Sequence, residues 1–153
     1  MTFQIYYTDS LPLDYKSEKK YGVGYIELPG GKESISSALD VFCKRDYISQ
    51  WIEAVEAIEG GGGKSAFITS YADRGGEIVG MWWTIYHLDE NVDRCMLCNQ
   101  LLLKEYISKN FSLENFFGDI CEYDEIGAED ESFDEWEVSF QELKDFKKQL
   151  LMM

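Results

Sequence analysis

Residues Asp46–Tyr71 read DYISQWIEAVEAIEGGGGKSAFITSY, and the spacing of apolar residues changes once within them. Ile48, Trp51, Ile52, Val55 and Ile58 recur every three or four positions, which places them on one face of an α-helix. Asp46 stands where a side chain can accept from the free N–H groups of the first turn. Gly60–Gly63 end the helix, because glycine adopts the left-handed backbone that closes helices at no steric cost. Ser65–Tyr71, β-branched and aromatic, then reads as a strand.

The order of helix, glycine run and strand settles what Gly63-Lys64-Ser65 is. A phosphate-binding loop of the form G-x-x-x-x-G-K-[ST] would need glycine at position 58, which is Ile58, on the apolar stripe. Such loops also follow a strand and open a helix, so that exposed N–H groups face the phosphate. Here the helix comes first and would present its carbonyl end. The run is a helix stop and connector, and no nucleotide is expected there.

Upstream, Phe3–Tyr7 reads as a strand and Ser10–Lys20 as a polar stretch. Tyr21–Leu28 is a second strand, stopped by the turn Pro29-Gly30-Gly31, and Ile35–Phe42 is a third. Downstream, Ala72–Gly76 forms a turn, and Glu77–Leu88 and Val92–Leu103 make a long antiparallel hairpin around Asp89-Glu90-Asn91. Ser112–Phe117 opens a short helix, Cys121–Glu131 is acidic and irregular, and Asp134–Val138 is a strand. Ser139-Phe140-Gln141-Glu142 has the S-x-x-E form of a capping box before a last helix, Gln141–Leu151, with Leu143, Phe146 and Leu150 on one stripe. Strands in succession, without regular β-α alternation, predict an α+β fold: a mainly antiparallel, sandwich-like sheet with two to three peripheral helices.

The 153 residues, 45% hydrophobic and 15% aromatic, suffice for one core, so a single domain over 1–153 is expected. Met1–Asp9 lacks the basic and apolar regions of a secretory signal, and no apolar run is long enough for a membrane span. A cytoplasmic protein is the expectation, with Cys43, Cys95, Cys98 and Cys121 kept as buried thiols. Cys95-x-x-Cys98 lacks a second ligand pair for zinc, and on a strand its two side chains point to opposite faces. His87 is the single histidine, at a strand end, with no nucleophile motif near it. Trp82-Trp83 invites a base-stacking reading, but stacking platforms sit in positive grooves, so core packing is expected for at least one of them. No catalytic, cofactor-binding or metal-binding residue is assigned.

Charge is the largest departure from average composition. With 29 acidic and 14 basic residues the formal charge is -15. Such a field repels nucleic acid and anionic lipid and steers basic partners inward. Between Asn110 and Leu143 there is no Lys or Arg, while carboxylates accumulate. The candidate partner surface is Glu122, Asp124, Glu125, Glu129, Asp130, Glu131, Asp134 and Glu135, with Phe133 or Trp136 as an aromatic anchor. Two other classes fit the carboxylates: a small carboxylate- or metal-dependent enzyme, and an acidic mimic of nucleic acid.

Several segments also occur together in a known family. They are Asp46-Tyr47 with Trp51, Lys64-Ser65-Ala66 opening a strand, Trp82-Trp83-Thr84-Ile85-Tyr86, Phe111-Ser112-Leu113-Glu114-Asn115, and Asp134-Glu135-Trp136 before the last helix. In this order, from about Glu33 onward, the chain resembles the CdiI immunity proteins of contact-dependent growth inhibition systems, in particular the Enterobacter-type group. The resemblance implies a non-catalytic cytoplasmic protein that binds and neutralises the C-terminal toxin domain of a cognate CdiA protein, a basic partner expected to be a nuclease. Gly60–Gly63, the first 32 residues and the acidic stretch depart from the family pattern. The interface is expected where the sequence departs.

Overall fold

A computed structural model describes residues 3–103, 119–123 and 134–153. The short helix expected at 112–117 and most of the acidic stretch lie outside the described residues. The elements run β1 (Gln4–Tyr7), β2 (Ser17–Leu28), β3 (Gly31–Leu39), α1 (Lys44–Glu59), β4 (Lys64–Arg74), β5 (Glu77–Tyr86), β6 (Cys95–Leu103), β7 (Glu135–Val138) and α2 (Phe140–Leu151). They form two antiparallel sheets, β1-β2-β3 and β4-β5-β6-β7, with two helices. This is the α+β, mainly antiparallel class expected from the sequence.

Element boundaries differ where strands are polar. β2 starts at Ser17 rather than Tyr21, and β3 spans 31–39 rather than 35–42. Both early segments are solvent-facing, Glu18–Lys20 on β2 and Lys32–Ser34 on β3, so hydrophilic residues there reflect exposure and not absence of a strand. β4 continues to Arg74, past the turn expected from Ala72; only Gly75 and Gly76 make the turn, both with positive φ. The long hairpin of β5 and β6 pairs Val79 with Leu103 through Tyr86 with Met96.

Asp46 is not the first cap of α1. The helix begins two residues earlier and Cys43 is its N-cap, while Asp46 at the third position reaches back to accept from the Cys43 N–H at 3.0 Å. The glycine run closes the helix with paired bonds: Gly62 N–H to the Ala57 carbonyl and Gly61 N–H to that of Ile58, each 3.0 Å. Gly61 carries the left-handed conformation, φ 85°. α2 has the expected capping box, Glu142 N–H donating to Ser139 Oγ and Ser139 N–H donating to Glu142 Oε2.

α1 lies along β4, the edge of the second sheet, and meets that edge with polar side chains. Gln50 Nε2 donates to the Ala66 carbonyl at 2.7 Å, and its Oε1 accepts from the Ile68 N–H at 2.8 Å. Trp51 Nε1 donates to the Ile68 carbonyl at 2.8 Å. The Tyr47 hydroxyl donates to the Ala38 carbonyl of β3 at 2.6 Å and accepts from the Tyr71 N–H of β4 at 3.0 Å. Ser37 Oγ donates to the Thr69 carbonyl, and Ser70 Oγ accepts from the Ala38 N–H. The two sheets therefore adjoin along β3 and β4, and side chains stand in for a ladder across the seam.

The core is continuous under both sheets. Trp51 stacks on Tyr7, Phe3 on Phe67, and Phe146 of α2 meets both phenylalanines edge-on. Trp82 and Trp83 point to opposite faces of β5, yet both are buried; Trp83 packs against Trp136 of β7. Two glycines allow close backbone approach: a Cβ at Gly24 would fall 1.9 Å from the Tyr6 carbonyl oxygen, and one at Gly80 2.4 Å from that of Ser70, beside the β4 bulge.

Candidate functional site: acidic surfaces at the two ends of β4

Of the eight carboxylates expected at a partner surface, Asp124, Glu125, Glu129, Asp130 and Glu131 lie outside the described residues, as does Phe133. Glu135 opens β7, Asp134 precedes it, and Glu122 pairs with Lys64 at the start of β4. Residues 119–123 pack beside β5 and β7. Tyr86 donates its hydroxyl to the Cys121 carbonyl at 2.9 Å, Tyr123 meets the Tyr86 ring edge-on, and Ile120 enters the core. Lys64, at the start of β4, donates to the Ile120 carbonyl at 2.7 Å and to Glu122 Oε1 at 2.8 Å. Lys64 thus fastens the base of the acidic segment.

Glu135 accepts from the Tyr123 hydroxyl at 2.7 Å and lies 3.7 Å from Cys98 Sγ. The carboxylate pushes the Tyr123 hydroxyl up to about 12, with burial adding to it. Burial pushes Cys98 up to about 12, helped by Glu135, and Cys95 likewise with Asp93 nearby. Both stay protonated at neutral pH, which makes them poor nucleophiles. Asp134 is exposed, and its backbone carbonyl accepts from Asn99 N–H. Trp136 is half-buried against Trp83, so it is anchored inward and is not a free aromatic knob.

The other sequence candidates are structural. His87 is buried, contacts the Val92 carbonyl through Nε2 at 3.0 Å, and packs edge-on against Phe140. Cys43, Cys95 and Cys98 are buried free thiols, and Cys121 is half-buried. Among the described residues no three His, Cys, Asp or Glu side chains gather in a way that could hold a metal ion. Among them, too, no helix is long and apolar enough to cross a membrane.

A second acidic feature, unforeseen in the sequence, lies at the opposite end of β4. Glu18 of β2, Asp40 just past β3, and Asp73, Arg74 and Gly75 at the β4–β5 turn line a cleft of about 330 Å3. The Asp40 side chain is only 9% exposed, yet its Oδ1 has no hydrogen-bond partner. Its Oδ2 faces Arg74 Nε at 3.7 Å, beyond hydrogen-bond reach. Arg74 is held from the side by the Tyr21 hydroxyl at 2.9 Å, and Asp73 Oδ1 accepts from Gly76 N–H. These residues come from three distant segments, so no local motif marks them.

Comparison with known proteins gives three findings. A family model described as the CdiI N-terminal domain matches residues 37–146. No curated protein matches the sequence. The fold is similar to that of a chain in the CdiA-CT/CdiI toxin and immunity complex from Enterobacter cloacae, with a TM-score of 0.78 and 18% identity over 99% of each chain.

Proposed function

The chain belongs to the CdiI N-terminal domain family, matched over residues 37–146, and from that premise we propose that it is an immunity protein that binds and neutralises the C-terminal toxin domain of a cognate CdiA protein. The family match carries this reading. The fold likeness to a chain of a toxin and immunity complex supports it, as does the charge of -15. The protein acts by binding alone, as one domain over residues 1–153, in the cytoplasm of the protected cell. No cofactor takes part.

The toxin on this reading is a basic nuclease, because an acidic field is the natural complement of a surface built to hold nucleic acid. Glu122, Asp124, Glu125, Glu129, Asp130, Glu131, Asp134 and Glu135 engage its Lys and Arg side chains, giving a fast, salt-sensitive association. The test is to mix the purified protein with the toxin domain encoded beside it, and to express both in one cell. A stable complex and rescued growth are expected; no complex, or no protection, overturns the reading. Reversing Asp130 and Glu131 to Lys is expected to weaken the complex. Unchanged affinity in that variant moves the interface away from the acidic segment.

A further inference from the structure

We propose that the cleft between Glu18, Asp40 and Asp73 receives one lysine or arginine side chain of the toxin domain. This rests on the immunity reading above and adds to it a second, built contact. Most surface carboxylates are fully solvated and need no partner. Asp40 differs: its side chain is nine-tenths buried, one oxygen has no donor, and the other has only a long contact to Arg74. A buried carboxylate whose one counter-charge stands 3.7 Å away is costly to hold, and a site that brings a closer cation to its Oδ2 recovers part of that cost.

The lining selects the ligand's charge and shape. Three carboxylates against one guanidinium leave the cleft with a formal charge of -2, so it attracts a cation. A small divalent ion fits poorly, because Arg74 stands in the lining and no three ligating side chains gather among the described residues. A cationic side chain fits better. Its donors can reach Asp40 Oδ2 while Glu18 and Asp73, both exposed, take the remaining charge at the rim. Arg74 is 55% exposed, so its guanidinium can give way outward toward Tyr21.

The cleft also lies apart from the other acidic surface. Lys64 and Arg74 are the two ends of β4, which spans about 30 Å at roughly 3.3 Å per residue. Sites that far apart on this chain, with no side chain in common, are expected to add to one another in binding a single toxin domain.

The experiment compares affinity for the purified cognate toxin domain at physiological salt. The variants are E18Q/D73N, D40N, and a control, E53Q/E56Q, which removes the same charge from exposed positions on α1. E18Q and D73N keep the size of each side chain, and the amide oxygen introduced by D73N can still accept from Gly76 N–H. Expected are a loss of at least about tenfold for D40N, mainly as faster dissociation, a loss of several-fold for E18Q/D73N, mainly as slower association, and less than about twofold for the control. Thermal unfolding of E18Q/D73N should match wild type. Wild-type affinity in both cleft variants overturns the proposal, and so does an equal loss in the control, which would make the effect one of overall field. Stabilisation of the free protein by Ca2+ or Mg2+, lost in E18Q/D73N, also overturns it in favour of a metal ion. Failure of the wild-type protein to bind the toxin overturns the immunity reading, and the cleft falls with it.

Discussion

Lys44 has almost no contact with water. Its ammonium pairs with Asp9 Oδ1, donates to the Leu11 carbonyl at 2.9 Å and lies 5.1 Å from the centre of the Tyr7 ring. Asp9 in turn accepts from the N–H groups of Leu11 and Val23. Burial pushes the Asp9 carboxyl upward, but Lys44 and the two backbone donors outweigh it and hold the group below its ordinary value of 3.8. A carboxyl depressed on folding stabilises the protein at pH above its unfolded value, and that contribution fades as the pH falls through the folded value. Asp9→Asn is therefore expected to cost roughly 3 kcal/mol at pH 7, because it leaves a buried ammonium without its counter-charge. Urea unfolding from pH 7 down to pH 2.5 should show the gap to wild type narrowing only below about pH 4. Nothing in the local sequence distinguishes Lys44 from a solvated lysine. The same limit explains Asp46: its type marks a helix start, but which backbone N–H it reaches depends on where Cys43 sits.

At the scale of elements, the apolar period is enough to find α1, α2 and the β5–β6 hairpin. Trp51, Val55 and Ile58 are buried on the stripe that locates α1, and Leu143, Phe146 and Leu150 on that of α2. Gln50 cannot be read this way. It is polar beside an apolar stripe, and its use appears only when β4 supplies an unpaired carbonyl and N–H two residues apart. Gln50→Leu keeps the volume and abandons both groups, so a loss of roughly 2–4 kcal/mol is expected in denaturant titration, with the far-ultraviolet spectrum unchanged. Ser139→Ala removes a cap at a helix end and should cost only about 1 kcal/mol by the same measurement. Equal losses in the two variants would contradict the special place given to the β4 edge.

At the scale of the molecule, succession of strands without alternating helices was legible and gave the fold class. The grouping of Glu18, Asp40 and Asp73 was not, because only the meeting of β2, β3 and β4 brings them together. A formal charge of -15 on 153 residues also acts on the fold as a whole, through self-repulsion in the compact state. The melting temperature is expected to rise as NaCl increases from about 0.01 M to about 0.5 M, while the screening length shrinks from roughly 30 Å to a few ångströms. A flat or falling dependence would mean that specific ion pairs such as Lys44–Asp9 outweigh the general repulsion. The seam between the sheets has a consequence in time. A chain made from its N-terminus completes β1, β2 and β3 before α1 and β4 exist, so the outer edge of β3 is open while synthesis continues. A fragment ending at Phe42 is accordingly expected to associate with its own copies, and the full chain, with α1 and β4 in place and β4 itself paired to β5, to do so much less. Light scattering of the fragment and the full chain at equal concentration distinguishes the outcomes, and equal association would leave the seam without a protective role.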